Sequence, residues 1–308
     1  MNGKILVTDS LFIQDEHVKK LETAGYEVER LDKPAATEEE LCQAIKGKVG
    51  YILGGIEKVT DKVIDAADEL KAIVLTGIDY KNFIPGWELA AKKGVAIANA
   101  PDGPTQAVAE WALSATLLMN RGFLKLGRTG KEAFSTSKGI ENQTVGIVGF
   151  GRIGHRIAEM LKPFKPAAIS YWSPHTRDDA GQAKFVELDE LLQSSDIIYV
   201  AVPAIAQGLL DGDKIRKIKK DALLVTFTHG EVIDENALLQ RLKAGTLRAI
   251  SDDPINNEEF DKLPLNAWFC FNGSNAFNTE TEIKLTSDMA TESLLNLLRT
   301  DQDKHKVN

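Results

Sequence analysis

The chain has 308 residues, enough for two domains with a core each. Its 43% hydrophobic and 27% charged residues are those of an ordinary soluble globular protein. A net charge of −8 argues against nucleic acid or an anionic membrane as the main partner, because both require a basic surface.

The N-terminus, MNGKILVTDS, lacks the basic-then-apolar pattern of a signal peptide and opens directly on a strand over Lys4–Thr8. No apolar run is long enough to cross a bilayer, so the expected setting is cytoplasmic. Two cysteines, Cys42 and Cys270, give neither a disulfide framework nor a CxxC metal site, and no metal is expected.

From there, short apolar runs alternate with amphipathic helices. A helix around Gln14–Ala24 precedes the strand YEVERL, and TEEELCQAIK leads to the strand VGYILGG. TDKVIDAADEL, LKAIVLTG, WELAAKKG with a C-cap glycine at Gly94, and VAIANA continue the alternation. Strand–helix alternation with glycines at the joints is the pattern of a parallel α/β sheet. QAVAEWALSATLLMNR, Gln106 to Arg121, reads as a long, mostly apolar helix. The soft segment GRTGKEAFSTSKGIENQ after it reads as a surface excursion.

A second α/β run begins at TVGIVGFG, with AAISYW, IIYVAV, ALLVTFT, LRAIS and WFCF as further strands. TEIKLTSDMATESLLNLLR is the closing helix, and the charged tail TDQDKHKVN is expected to fray.

VGIVGFGRIGHRIAEML carries the strongest local signal. Gly149, Gly151 and Gly154 stand in GxGxxG spacing directly after a strand and at the start of a helix. The first glycine allows the tight turn, the second lets backbone approach a pyrophosphate, and the third lets helix and strand pack closely. The helix N-terminus adds free N–H groups and a positive dipole end. The next strand of an NAD site usually ends on Asp or Glu, which bonds the ribose hydroxyls. Here Trp172 and Ser173 stand there, followed by His175, Thr176 and Arg177, which suit a 2′-phosphate. That favours NADP(H) over NAD(H).

The order of these pieces resembles the D-isomer-specific 2-hydroxyacid dehydrogenase family over nearly the whole chain. IANAPDGPTQAVAEWAL, TVGIVGFGRIG, VELDELLQSSDIIYVAVP, LLVTFTHGEVIDENAL, SDDPINNEEF and NGSNAFNTETE carry the likeness. The resemblance implies two Rossmann-like, doubly wound parallel-sheet domains. The nucleotide domain, residues 99–283, would be inserted into a substrate domain made of 1–98 plus 284–308. It further implies a small-molecule substrate, a site in the cleft between domains, and a homodimer using the long helix. Cofactor contacts would come from Gly149, Gly151, Arg152, Ile153, Gly154, Ser173, His175, Arg177, Pro203, Thr228 and Asp252.

The family chemistry uses Arg, His and Glu, and this chain departs at each position. The arginine turn reads FTHGE, so His229 replaces Arg, and a neutral imidazole cannot form the charged bidentate fork that grips a carboxylate. Ser274 takes the histidine position and is a poor proton shuttle near neutral pH. Asn257 takes the glutamate position by ungapped counting from Asp252, with Glu258 one residue on. In the substrate loop TGIDYKNF, Asp79 replaces a second glycine, where a carboxylate would repel a substrate carboxylate. Tyr80 and His229 are candidate proton donors.

Two main readings follow. One is a repurposed oxidoreductase that delivers hydride to an imine, ketone or activated alkene. The alternative is a nucleotide-binding pseudoenzyme acting as a sensor or partner subunit. A conventional dehydrogenase with Glu258 and His229 as a displaced pair is a third.

Overall fold

The computed structural model describes residues 2–8, 13–33, 35–101, 103–129, 136–228, 231–271, 273 and 275–308, apart from the side chains of Arg128 and Thr129. In chain order, β1 (Lys4–Thr8), α1 (Asp15–Thr23), β2 (Glu27–Leu31), α2 (Glu38–Ala44) and β3 (Lys48–Leu53) come first. Next are α3 (Asp61–Ala66), β4 (Ala72–Leu75), α4 (Tyr80–Phe83), α5 (Trp87–Lys92) and β5 (Ala96–Asn99). The long helix α6 (Thr105–Asn120) and α7 (Phe123–Thr129) lead to β6 (Thr144–Val148), α8 (Arg152–Leu161) and β7 (Ala168–Trp172). Then follow β8 (Lys184–Phe185), α9 (Leu188–Ser194), β9 (Ile197–Val200), α10 (Gly212–Lys217) and β10 (Ala222–Thr226). The chain ends through α11 (Glu235–Lys243), β11 (Leu247–Ser251), α12 (Glu258–Asp261), β12 (Trp268–Cys270) and α13 (Glu280–Thr300).

The chain divides into two compact units, Met1–Pro104 with Asn278–Asn308, and Thr105–Phe277. Crossings expected at 98/99 and 283/284 both fall inside the first unit. Asn99 is the last residue of β5, and Thr279 is the N-cap of α13, accepting the Glu282 N–H at 3.2 Å.

In the first unit a five-stranded parallel sheet has the order β2-β1-β3-β4-β5. Every residue of β3 and β4 is buried, and after Lys48 both strands read as apolar runs. α13 lies on this sheet, with Leu294 and Leu298 filling the space that a side chain at Gly50 would need. The polar tail does not fray. Ala98 and Lys306 form an antiparallel bridge at the edge strand β5, and Val307 donates its N–H to Ile97 O at 2.8 Å.

The second unit holds a seven-stranded parallel sheet, order β12-β11-β10-β9-β6-β7-β8. Counted within the unit this is 3-2-1-4-5-6-7, the doubly wound dinucleotide-binding order with one strand added. Successive strand residues feed opposite faces. Val145, Ile147, Tyr199, Leu223 and Val225 pack with α6 and α8, while Val148, Ile198, Val200 and Leu224 pack with α9, α10 and α11. Among the described residues no helix is long and apolar enough to cross a membrane.

Candidate functional site

The nucleotide loop lies at the carboxyl end of β6, where the strand order reverses between β6 and β9. That reversal is where open α/β sheets place ligands. Each glycine has a geometric reason. Gly149 has φ +93°, and a Cβ there would stand 2.5 Å from Ala201 O. A Cβ at Gly154 would lie 2.2 Å from Gly149 O, so only glycine lets α8 start this close to β6. Among the described residues, nothing lies within 4 Å of where a Gly151 Cβ would stand. That open space, in front of the free N–H groups of α8, fits a pyrophosphate. Ile153 packs on the core, and Arg152 is exposed.

Ser173, His175, Thr176 and Arg177 share one turn at the carboxyl end of β7. The ribose of the adenosine half lies there in this fold. Phe150 stacks on Tyr171 with ring centroids 4.1 Å apart, and the Tyr171 hydroxyl accepts the Arg177 N–H at 2.8 Å. The nearly buried Ser173 turns its hydroxyl inward to donate to His175 O. Arg177 forms a two-pronged pair with Asp179, Nε to Oδ1 at 3.1 Å and Nη2 to Oδ2 at 3.2 Å. The hydrogen-bonded guanidinium holds the Asp179 carboxyl below its ordinary range. Of the four residues, the turn brings all together but leaves His175 and Thr176 as the ones exposed without a named side-chain role.

Pro203 is exposed and starts the turn that carries Ile205, which is 74% exposed. Thr228 donates its hydroxyl to Val200 O at 2.9 Å, tying the end of β10 to β9. Asp252 is buried, and its carboxylate accepts the N–H groups of Asn275 at 3.0 Å and Ala276 at 2.8 Å. The aspartate thus holds the turn after β12, a positioning role that the letters of the sequence do not announce. Asn257 is the N-cap of α12, accepting the Glu259 N–H at 3.0 Å, while Glu258 is exposed on the first turn. His229 and Ser274 lie outside the described residues.

In the first unit the loop that the family resemblance assigns to substrate follows β4. Ala100 donates its N–H to Gly77 O at 3.0 Å and the Asn99 amide donates to Ile78 O at 2.8 Å, so the loop is fixed by β5. Asp79 stands at the N-cap of α4, and its side chain takes no capping bond among the described residues. The Lys81 ammonium sits 4.9 Å from the centroid of the Trp87 ring, which Tyr80 meets edge-on. Burial lowers the Lys58 pKa, and the Asp79 charge opposes that shift. Lys58 is itself bonded to Asn82 O at 3.0 Å and Asn82 Oδ1 at 2.9 Å.

A buried polar chain beneath this edge escapes sequence reading. The Tyr51 hydroxyl donates to Glu57 Oε1 at 2.9 Å and lies 3.1 Å from Thr8 Oγ1, which accepts the Gly54 N–H at 3.3 Å. Burial first, and the Glu57 charge second, push the Tyr51 phenol well above its ordinary value. A neutral tyrosine donating to the Glu57 side chain is the consistent arrangement.

A doubly wound sheet with this glycine turn at its switch point defines an NAD(P)-binding domain. The profile described as D-isomer specific 2-hydroxyacid dehydrogenase, NAD binding domain, matches residues 112–272. The chain belongs to the D-isomer specific 2-hydroxyacid dehydrogenase family. It is 32% identical to the D-3-phosphoglycerate dehydrogenase of Methanocaldococcus jannaschii, over 99% of this chain and 59% of that one. It therefore spans little more than half the length of that relative. The glyoxylate reductase of Pyrococcus horikoshii is 29% identical over 85% of this chain and 84% of its own length. The solved structure of an acyclic imino acid reductase in complex with NADPH and D-Arg superposes with TM-score 0.86. That likeness covers 99% of this chain and 100% of the other at 22% identity, and is one of fold.

Proposed function

We propose that this chain is an oxidoreductase of the family repurposed to reduce an acceptor without a 2-carboxylate: an imine, a ketone or an activated alkene. Asp79 is the observation that carries this reading. Its carboxylate stands in the substrate loop free of a capping role, with the Lys81 ammonium seated on Trp87. A substrate carboxylate brought beside it meets like charge, whereas a protonated imine meets a counter-charge. The replacement of the family arginine by His229 removes the attraction that would otherwise offset that repulsion.

Among the three acceptors an imine is favoured. It already carries positive charge when protonated, so it asks less of an acid catalyst than a ketone does. The fold neighbour named as an imino acid reductase supports a C=N acceptor in place of a keto group, although an imino acid keeps the carboxylate that the Asp79 argument excludes. The coenzyme, when bound, supplies the hydride. Gly149, Gly151 and Gly154 would hold its pyrophosphate, and the Ser173–Arg177 turn its adenosine end, with NADPH preferred to NADH. His229 or Tyr80 would supply the proton. A homodimer through α6 and a cytoplasmic setting belong to the same reading.

The test follows loss of reduced nicotinamide absorbance with the purified protein and a panel of acceptors. The panel holds 1-pyrroline, a simple ketone and an enone, beside glyoxylate and hydroxypyruvate. Turnover is expected with 1-pyrroline and not with the 2-keto acids. Reduction of glyoxylate faster than 1-pyrroline would overturn the proposal. Saturable NADPH binding with no turnover on any acceptor would favour the pseudoenzyme instead.

A further inference from the structure

The turn that would read the coenzyme's ribose contains its own anion. Arg177 offers a guanidinium at the carboxyl end of β7, and its backbone is pinned there by the Tyr171 hydroxyl. Asp179 occupies that guanidinium with both carboxylate oxygens, at 3.1 and 3.2 Å. The aspartate is not loosely tethered. His155 Nε2, from α8 of the glycine loop, lies 2.8 Å from Asp179 O, and the His155 ring meets Phe150 edge-on. Both prongs of the fork that a 2′-phosphate would use are therefore engaged by a carboxylate with a fixed backbone.

We propose that Asp179 is a specificity-determining residue for the coenzyme, an internal surrogate for the 2′-phosphate that restrains NADPH binding and leaves NADH untouched. The inference rests on the proposed use of a nicotinamide coenzyme. NADPH binds by displacing the Asp179 carboxylate from Arg177, and any negative charge left beside the phosphate opposes it. NADH brings no phosphate to the turn and makes no demand on the pair. The chain is thereby held to a narrow preference between the two coenzymes. Because the side chains of Arg177 and Asp179 are 49% and 61% exposed, the restraint is screened by salt.

The experiment is calorimetric titration of the full chain with NADPH and with NADH, at low and at high salt. It compares the unchanged protein with Asp179→Asn, Arg177→Gln and the double variant. D179N is expected to tighten NADPH roughly three- to ten-fold at low salt, less at high salt, and to leave NADH unchanged. Arg177→Gln weakens NADPH, and in its presence D179N still tightens NADPH by removing a charge beside the phosphate, while NADH is unchanged. An unchanged NADPH affinity in D179N, or an equal change for NADH, overturns the role of Asp179 while the coenzyme reading stands. Failure of the unchanged protein to bind either nucleotide overturns both.

Discussion

At the scale of the residue, the question is what a single charge does in a loop built from backbone. Asp79 has φ −86°, a conformation open to any amino acid, so the position has no backbone need for glycine. Its effect is therefore electrostatic rather than conformational. Two charges about 5 Å apart at an effective dielectric of about 20 interact by roughly 3 kcal/mol, an upper range that exposure and salt reduce. Asp79→Asn keeps the shape and removes the charge, and Asp79→Gly removes both. Each is expected to bind glyoxylate roughly five- to ten-fold more tightly than the unchanged protein, measured by calorimetry on the NADPH-loaded form. If the affinity for glyoxylate stays where it was in both variants, the charge is irrelevant to substrate choice. The substitution itself was legible as a letter, Asp for Gly in TGIDYKNF. Its neighbourhood was not, because Lys81 follows two residues on yet folds onto Trp87, while Lys58, far off in sequence, comes within reach of the Asp79 charge. The Thr8–Tyr51–Glu57 chain is hidden for a related reason, since Thr8 and Tyr51 are joined only by strand pairing.

Among elements, those with regular patterns were readable and those held by polar bonds were not. The β6–glycine–α8 unit announces itself because three glycines, an apolar strand and an amphipathic helix all agree. The C-terminal tail, with its charges, reads as frayed, yet it closes the edge of the first sheet. Asn99 donates its N–H to His305 O at 3.3 Å, and Ser293, Asn296 and the His305 N–H all bond the Asp303 carboxylate at 2.8–2.9 Å. Asn308 acts as a side-chain mimic of a further strand residue: Oδ1 accepts the Ile97 N–H at 2.7 Å and Nδ2 donates to Val95 O at 2.9 Å. Hydropathy cannot register such docking, because it satisfies the open N–H and C=O groups of an edge strand and buries little apolar surface. Asn308→Ala forfeits both bonds at a part-buried site and is expected to cost about 1–2 kcal/mol, lowering the melting temperature by about 3–6 °C. A melting temperature equal to that of the unchanged protein would mean the tail leaves β5 open in solution.

For the molecule as a whole, the balance of charge sets how stability responds to acid. The sheets of both units are parallel, and apart from a few buried groups such as Glu57 and Asp252 the ionised side chains lie on helix surfaces and on the half-buried edge strand β2, where lysine–carboxylate clusters gather. In the first unit, hydrogen bonds from Lys4 and then Lys48 take the Glu29 carboxyl from 4.5 to about 2. Lys243 and then Lys262 do the same for Glu259 in the second unit, again from 4.5 to about 2. Both folded values are depressed, so each group contributes stability above the ordinary carboxylate pKa and loses it as pH falls toward 2. The melting temperature is therefore expected to be nearly level from neutral pH to about 5 and to fall below that. Glu29→Gln isolates one contribution. Lys48 lies 2.8 Å from Glu29, its side chain only 6% exposed, and in the variant its ammonium keeps the Lys46 carbonyl at 3.0 Å as acceptor. Since the Glu29 side chain is itself 42% exposed, the loss at neutral pH is discounted to about 1 kcal/mol. The gap between Glu29→Gln and the unchanged protein should close as pH approaches 2, because the native carboxyl is then protonated as well. A gap that persists unchanged into acid would identify the loss as one of packing rather than charge, and the absence of any gap at neutral pH would show that the cluster adds nothing to stability.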